Sequence, residues 1–386
     1  MSEKSYLIVG AGFAGMALAE RITAAGHYCT IIEKRNHIGG NAHDYHDENG
    51  VLIHAYGPHY FRSNSQGIIE YLTRFTSWRP VSYKVLSFTD GRYWSFPVNL
   101  QTFEQLIGRD ATEAEFIAWL DTQRVPCKTP RNSEELLLSQ IGPRLYELFF
   151  RGYTLKQWKR EPRELDASVC GRIPIRTNRN DAYLNEMYQM LPADGYHKLF
   201  NNLLAACGER LTLLLNTDYR DIVGRYRFTH VFYTGPIDEY YNYRFGPLPY
   251  RSLRFDREHI RGAALAARAP ISGKPAFWQP ELQVNYPNDF DFTRIVEMKH
   301  ATGQQCEGST IVREYPLDWT LGAEPYYPVP GAESKAIYEK YRSLAVTDAG
   351  VTFLGRLGTY QYYNMDQVIS RALQQVKKHQ TGTNSE

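Results

Sequence analysis

The chain has 386 residues, 43% hydrophobic and 22% charged, with a net charge of +2. A single core stops growing near ~250–300 residues, so this length implies two or three packed units, and the near-neutral charge argues against nucleic-acid binding and general membrane attraction. The five cysteines (Cys29, Cys127, Cys170, Cys207 and Cys306) form no CxxC pair, which implies free thiols rather than a zinc site, so no metal is expected; no apolar run approaches the ~20 residues that span a bilayer.

An apolar strand pattern over 6–9 runs straight into Gly10-Ala11-Gly12-Phe13-Ala14-Gly15, which opens a helical pattern over 16–25. The chain thus starts on a strand, with no leader-type apolar stretch, and is expected to be cytoplasmic. Each glycine of the turn has its own job. Gly10 permits the tight turn, Gly12 lets backbone approach a pyrophosphate, and Gly15 lets the helix pack close to the strand, with the positive helix N-terminus facing the phosphates. A second strand over 28–32 ends in Glu33, placed to accept a hydrogen bond from a ribose hydroxyl. A GxGxxG alone is weak, but strand, glycines, helix, second strand and acid in this order predict dinucleotide binding. Glu33, Lys34 and Arg35, followed by Gly39, Gly40 and Asn41, resemble the E-x-R-x-x-x-G-G continuation of glutathione-reductase-like FAD enzymes rather than a nicotinamide dehydrogenase. The expected cofactor is FAD.

Further along, a strand over 51–55 turns at Gly57-Pro58 and leaves His59 and Arg62 in a loop. A histidine in such a turn is by default a surface or capping residue; it becomes functional if the loop faces the cofactor. Strand patterns over 84–88 and 92–96 flank Asp90-Gly91 and read as a hairpin. From 102 to 153 the period becomes helical, broken by a loop containing Pro126 and Pro130. The aromatic stretch 149–158 has the spacing of a packed helix, whereas 159–169 is too charged for a core. Arg172 and Arg176 lie in a Gly/Pro-bounded segment that reads either as a solvated basic loop or as a lid clamping phosphates. A helix over 196–207 and strands over 211–215 and 231–236 return the chain to the nucleotide domain, and a sheet-rich region begins near Tyr240 and ends at Pro330. A helix over 334–344, a strand over 351–355 and a helix over 365–378 follow.

The expected architecture is an α/β, Rossmann-like FAD-binding domain of the glutathione-reductase-like kind, assembled from 1–80, 197–245 and 334–378. It carries an inserted helical subdomain (101–165) and an antiparallel β-sheet domain (246–333) joined by the hairpin 81–100. The segment 166–196 is expected to be a mobile lid and link, and 379–386 a frayed tail.

Seven motifs in chain order carry a family resemblance. Gly10 to Gly15, His37-Ile38-Gly39-Gly40-Asn41, Tyr56-Gly57-Pro58-His59 and Phe149-Phe150-Arg151-Gly152-Tyr153-Thr154 with Gln157-Trp158 come first. Phe292-Thr293-Arg294, Pro325-Tyr326-Tyr327-Pro328 and Gly355-Arg356-Leu357-Gly358-Thr359-Tyr360 complete the set. Together they resemble bacterial UDP-galactopyranose mutases over nearly the whole chain. The resemblance implies a FAD-dependent isomerase that interconverts UDP-galactopyranose and UDP-galactofuranose through attack of reduced-flavin N5 on the anomeric carbon. It also implies a homodimer and reduction of the flavin by NAD(P)H or a reductase. The single dinucleotide motif and the lack of a nucleophile with a paired base agree with cofactor-borne covalent chemistry.

Carried over residue by residue, the resemblance assigns Gly10, Gly12, Phe13, Ala14, Gly15, Glu33, Lys34, Arg35, Gly39, Gly40, Asn41, Met365 and Asp366 to the cofactor, with His59 and Arg356 near its ring. Phe150, Tyr153, Thr154, Trp158, Tyr183 and Asn285 would hold the nucleotide. Arg172 and Arg294, helped by Tyr327 and Tyr362, would neutralise the diphosphate, which gains charge as the anomeric bond breaks. Asn364 would lie near the sugar, and His59 would tune the flavin or relay a proton. Two departures stand out. The loop that usually reads G-P-H-x-F-H has Arg62 in place of the second histidine, and the lid's usual Lys-Arg is Gly171-Arg172. Arg62 offers a fork of donors that histidine lacks. The resemblance, to family members with arginine in this loop, implies UDP-N-acetylgalactosamine as a further substrate beside the galactose one, or an altered sugar. The rival readings are an amine-oxidase-like flavin oxidoreductase and a non-catalytic nucleotide binder.

Overall fold

The computed structural model describes residues 3–274 and 276–381. A five-stranded, wholly parallel sheet runs in the order Leu211–Leu214, Tyr28–Ile32, Ser5–Val9, His230–Tyr233, Val351–Phe353. Its central strands are apolar on both faces, with Leu7, Ile8, Ile31, Ile32 and Phe232 all buried, as a sheet covered on both sides requires. Each such side chain contributes about 1.5–3 kcal/mol by leaving water. The helix Phe13–Ala24 packs against the helices Gly195–Cys207 and Met365–Thr381. The three segments expected to build the nucleotide domain therefore meet in one core.

The hairpin Val85–Thr89 and Arg92–Phe96 forms one end of a seven-stranded sheet. Its turn uses positive φ at Asp90 and Gly91, as a two-residue hairpin turn demands. The sheet continues through Gln283–Asn285, Arg294–Val296, Ser309–Asp318, Tyr250–Ile260 and Tyr327–Pro328. One pairing, Gln283–Asn285 with Val85–Thr89, is parallel, so the expected antiparallel sheet is mixed at that seam.

The inserted helices are Leu100–Ile107, Glu113–Gln123 and Ser133–Tyr146. The last is kinked at Gly142, whose φ of 71° and approach to the Gln123 carbonyl leave no room for a Cβ. A π-helical turn, Glu147–Arg151, then leads into the helix Gly152–Trp158. Such turns rotate side chains off the regular helical faces.

Several expectations need correction. Arg62 lies on a strand, Phe61–Ser63, which pairs with Tyr188–Pro192 in a three-stranded sheet. The segment expected to be a mobile lid is anchored: Ala167–Gly171 is helical, Arg176 N–H donates to the Val98 carbonyl at 3.0 Å, and Tyr183 N–H to that of Tyr83 at 3.3 Å. The sheet region begins at Tyr250, because Ile237–Tyr240 is a helical turn. A helix over Gly262–Ser272, to which no element was assigned, sits inside the sheet region. The last helix reaches Thr381, so 379–381 is not frayed, and the rest of the expected tail lies outside the described residues. No helix among the described residues is long and apolar enough to cross a membrane.

Candidate active site

Gly10 has a φ of 104°, and a Cβ there would lie 2.1 Å from Thr234 Oγ1. A Cβ on Gly15 would lie 2.0 Å from the Gly10 carbonyl, so only glycine lets the helix come this close to the turn. Beside the turn runs a cavity of about 210 Å³ walled by Gly10, Gly12, Phe13, Ala14, Gly39 and Gly40. Glu33, Lys34, Arg35 and Asn41 line one end, and His59, Arg356 and Met365 the other. Glu33 is buried and held by Ala11 N–H at 2.9 Å and Arg35 N–H at 3.0 Å, which fixes the carboxylate where a ribose would reach it. Arg35 is committed elsewhere: it pairs with Glu324, donates to Asn41 Oδ1 at 2.9 Å and stacks over Tyr56 at 4.4 Å.

Two of the expected cofactor residues do not reach this wall. Gly15 acts behind it, as packing, and Asp366 accepts from Ser63 Oγ at 2.8 Å. Thr217, Asp218, Tyr219 and Glu239, which no motif identified, line the Glu33 end. The first three follow Leu211–Leu214, the neighbour of the acid-bearing strand, and Glu239 lies on the helical turn Ile237–Tyr240 after the strand His230–Tyr233.

A second cavity, of about 190 Å³, shares His59, Arg356 and Met365 with the first. Its wall carries four guanidiniums, Arg62, Arg172, Arg294 and Arg356, and no carboxylate. Tyr153, Trp158, Tyr183, Tyr327, Tyr362 and Asn364 complete the expected set there. A third hollow, of about 60 Å³, continues between Phe150, Thr154 and Asn285, sharing Tyr153, Trp158 and Arg172 with the second. All expected substrate residues thus line these two neighbouring cavities, which share walls.

The carriers of these side chains are pinned to one another. The helix bearing Tyr153 and Trp158 is tied to the loop before Arg294 by Lys156, whose ammonium donates to the carbonyls of Phe290 at 2.8 Å and Phe292 at 3.1 Å. Arg251 Nε holds the Gln157 carbonyl at 2.9 Å. Gly152 is needed because a Cβ would lie 2.3 Å from Asn288 Oδ1. Neither Lys156 nor Arg251 carries a motif signal; both look like ordinary surface cations in the sequence.

Arg294 is gripped bidentately by Glu314, Nε to Oε2 at 2.9 Å and NH2 to Oε1 at 2.7 Å, and Glu314 is only 1% exposed. Burial opposes the charge of Arg294, but Glu314 together with Tyr153, Tyr327 and Tyr83 more than offsets it, and the unused edge of the fork remains for an anion. Arg172 stacks over the Tyr362 ring at 5.4 Å and has no carboxylate partner among the described residues. Burial pushes the Tyr362 phenol up, yet Arg356, Arg172, Arg62 and Arg294 more than reverse it, bringing it down to about 8. Tyr327 goes the other way, raised by burial and then by Glu314. Arg62 reaches Asn364 Oδ1 at 2.8 Å and Glu186 Oε1 at 3.2 Å, so two of its arms are already occupied.

Of the two roles expected of His59, tuning the flavin or relaying a proton, its surroundings favour the first. Its Nδ1 lies 2.9 Å from the Gly57 carbonyl, and burial, the neighbouring His54 and the nearby Arg356 and Arg294 hold it down at about 3 despite that bond. A group so weakly basic is a neutral hydrogen-bond acceptor through Nε2, not a proton carrier near neutrality.

A family model described as UDP-galactopyranose mutase matches residues 148–362, and one described as an NAD(P)-binding Rossmann-like domain matches residues 8–75. A Klebsiella pneumoniae protein named "Probable UDP-galactopyranose mutase" is 35% identical over 377 residues, covering 97% of this chain and 94% of its own. The dTDP-fucopyranose mutase of Escherichia coli is 33% identical, covering 95% of this chain and 96% of its own. The crystal structure of a reduced UDP-galactopyranose mutase superposes with a TM-score of 0.77 at 16% identity, over 100% of this chain and 96% of that one, which shows the shared fold. The chain belongs to the UDP-galactopyranose mutase family.

Proposed function

We propose that this chain is a FAD-dependent isomerase that interconverts UDP-galactopyranose and UDP-galactofuranose and works with its flavin reduced. The observation that carries the reading is the junction itself: a glycine-walled cavity meets a carboxylate-free, four-arginine cavity at His59, Arg356 and Met365. The residues present fit FAD. Glu33 is oriented for a ribose, the helix N-terminus at Gly12 for a pyrophosphate, and the shared wall for the ring system.

Bound and reduced, FAD would supply the nucleophile that takes the sugar from its diphosphate. The chain's own residues would do the rest. Phe150, Tyr153, Trp158 and Tyr183 hold the base end; Arg172 and Arg294 meet the diphosphate, whose charge grows as the anomeric bond breaks. Tyr327 and Tyr362 donate to its oxygens. Arg172, standing over Tyr362, closes the cavity on that side and keeps out water that would hydrolyse the activated sugar. External NAD(P)H or a reductase would charge the flavin, and a homodimer is the assembly proposed.

A second reading concerns the sugar. Arg62 and Asn364 form one hydrogen-bonded unit on the sugar-side wall, and the similarity to a dTDP-fucopyranose mutase extends over nearly the whole chain. That favours a further or different nucleotide sugar, UDP-N-acetylgalactosamine among them. Reduced protein incubated separately with UDP-galactopyranose, UDP-N-acetylgalactosamine and dTDP-fucopyranose decides between the readings. Turnover of the galactose substrate alone would remove the second, and oxygen consumption with stoichiometric substrate oxidation would replace both by the oxidoreductase.

A further inference from the structure

Beneath the Gly57 turn lies a buried cluster that no motif identified. The His59 N–H donates to Nδ1 of His54 at 3.0 Å, and the His59 carbonyl accepts from the Tyr196 hydroxyl at 3.0 Å. His54 and Tyr196 are both buried, and their rings meet edge to face at 5.6 Å. Behind them Asp44, 0% exposed, is the cross-strand partner of His54. Its carboxylate accepts from the N–H groups of Tyr196 and His197 at 2.6 Å each, in the first turn of the helix Gly195–Cys207.

The hydrogen-bond roles are forced. A backbone N–H only donates, so Nδ1 of His54 is bare; burial favours this neutral state against the pull of Asp44. A carbonyl only accepts, so Nδ1 of His59 carries the proton and, in the neutral ring that burial favours, its Nε2 is bare; the residue lines the wall common to the two cavities described above. Two-electron reduction gives the isoalloxazine an N5–H, and an N1–H as well when the reduced ring is neutral, so a bare nitrogen held at the junction favours the form with more donors.

We propose that Asp44, His54 and Tyr196 are positioning residues that clamp the His59 peptide at both ends, so that its ring nitrogen biases the site toward reduced flavin. The proposal rests on the flavin reading of the site. Asp44 anchors the helix start that carries Tyr196; His54 and Tyr196 hold the peptide itself.

The test is the midpoint potential of the bound flavin, measured beside the melting temperature, in wild type, His54→Asn, His54→Leu and Tyr196→Phe. The asparagine amide oxygen can stand where Nδ1 stood, leucine fills space without an acceptor, and phenylalanine removes one hydroxyl. His54→Asn is expected to keep the wild-type potential. His54→Leu and Tyr196→Phe are expected to lower the preference for reduced flavin about tenfold, which for a two-electron couple is about 30 mV. If His54→Leu fails to fold, Tyr196→Phe against wild type carries the comparison. Potentials equal to wild type in Tyr196→Phe and His54→Leu, or His54→Asn shifted as far as His54→Leu, would overturn the proposal while leaving the flavin reading intact. A wild-type protein that takes up no flavin would overturn both.

Discussion

Arg172 and Arg294 share one proposed task but stand in different structural debts, and replacing each by alanine separates the two. Losing one charge-assisted contact to the diphosphate costs about 1.5–3 kcal/mol, so either variant should lose roughly 10- to 150-fold in kcat/KM. Stability should not follow in parallel. Arg172 has a ring beneath it and no carboxylate partner among the described residues, so Arg172→Ala leaves no orphaned charge. Arg294→Ala abandons Glu314, 1% exposed and held by two bonds to the fork, and stranding a buried ion costs about 3–5 kcal/mol. With about 2.1 cal/mol/K of unfolding entropy per residue, that is a fall in Tm of roughly 4–6 °C for a chain of this length. Adding Glu314→Gln to Arg294→Ala should restore part of the Tm and none of the activity. Scanning fluorimetry and dithionite-reduced turnover measure the two quantities. Equal Tm losses in both alanine variants, or a double variant less stable than Arg294→Ala alone, would refute the reasoning.

Other consequences follow from single residues. Because the four surrounding arginines bring the Tyr362 phenol down to about 8, its phenolate competes with a diphosphate for the guanidiniums; UDP affinity should be flat just below that pH and weaken about tenfold per unit above it. Tyr362→Phe should abolish the bend in calorimetric titrations, and a flat wild-type profile would contradict the electrostatics. Gly15→Ala, whose Cβ would strike the Gly10 carbonyl, should lower both Tm and flavin retained on purification. Arg62→His should alter the ratio of kcat/KM between the galactose and N-acetylgalactosamine substrates if Arg62 selects the sugar, and change little if galactose is the sole substrate.

The parts of this site that the sequence made legible are those whose chemistry is local. The spacing of Gly10, Gly12 and Gly15, the acid at Glu33 and the Asp90-Gly91 turn are each decided within a few residues, and the structure places them accordingly. The rest depends on partners brought together by the fold. Glu314 meets Arg294 only because their strands pair, and Asp44, His54 and Tyr196 converge from separate segments. Arg62 looked like a loop residue because a three-residue strand is too short to show a period, and its ladder partner lies in the distant Tyr188–Pro192. The helix Gly262–Ser272 was legible in principle, since its alanine-rich start has high helix propensity, but it interrupts a run of strand patterns. The weak basicity of His59 comes from burial, from His54 and from two arginines distant in sequence but close in the fold, which spacing does not reveal.

The central claim is that reduced flavin, gripped beside an arginine-walled nucleotide site, does the covalent work. Its most direct test is turnover of UDP-galactopyranose by purified, flavin-loaded protein, followed by chromatography with and without dithionite. The account predicts furanose product from the reduced protein and next to none from the oxidised one. Equal rates in both states, or a protein that binds UDP but retains no flavin, would contradict it.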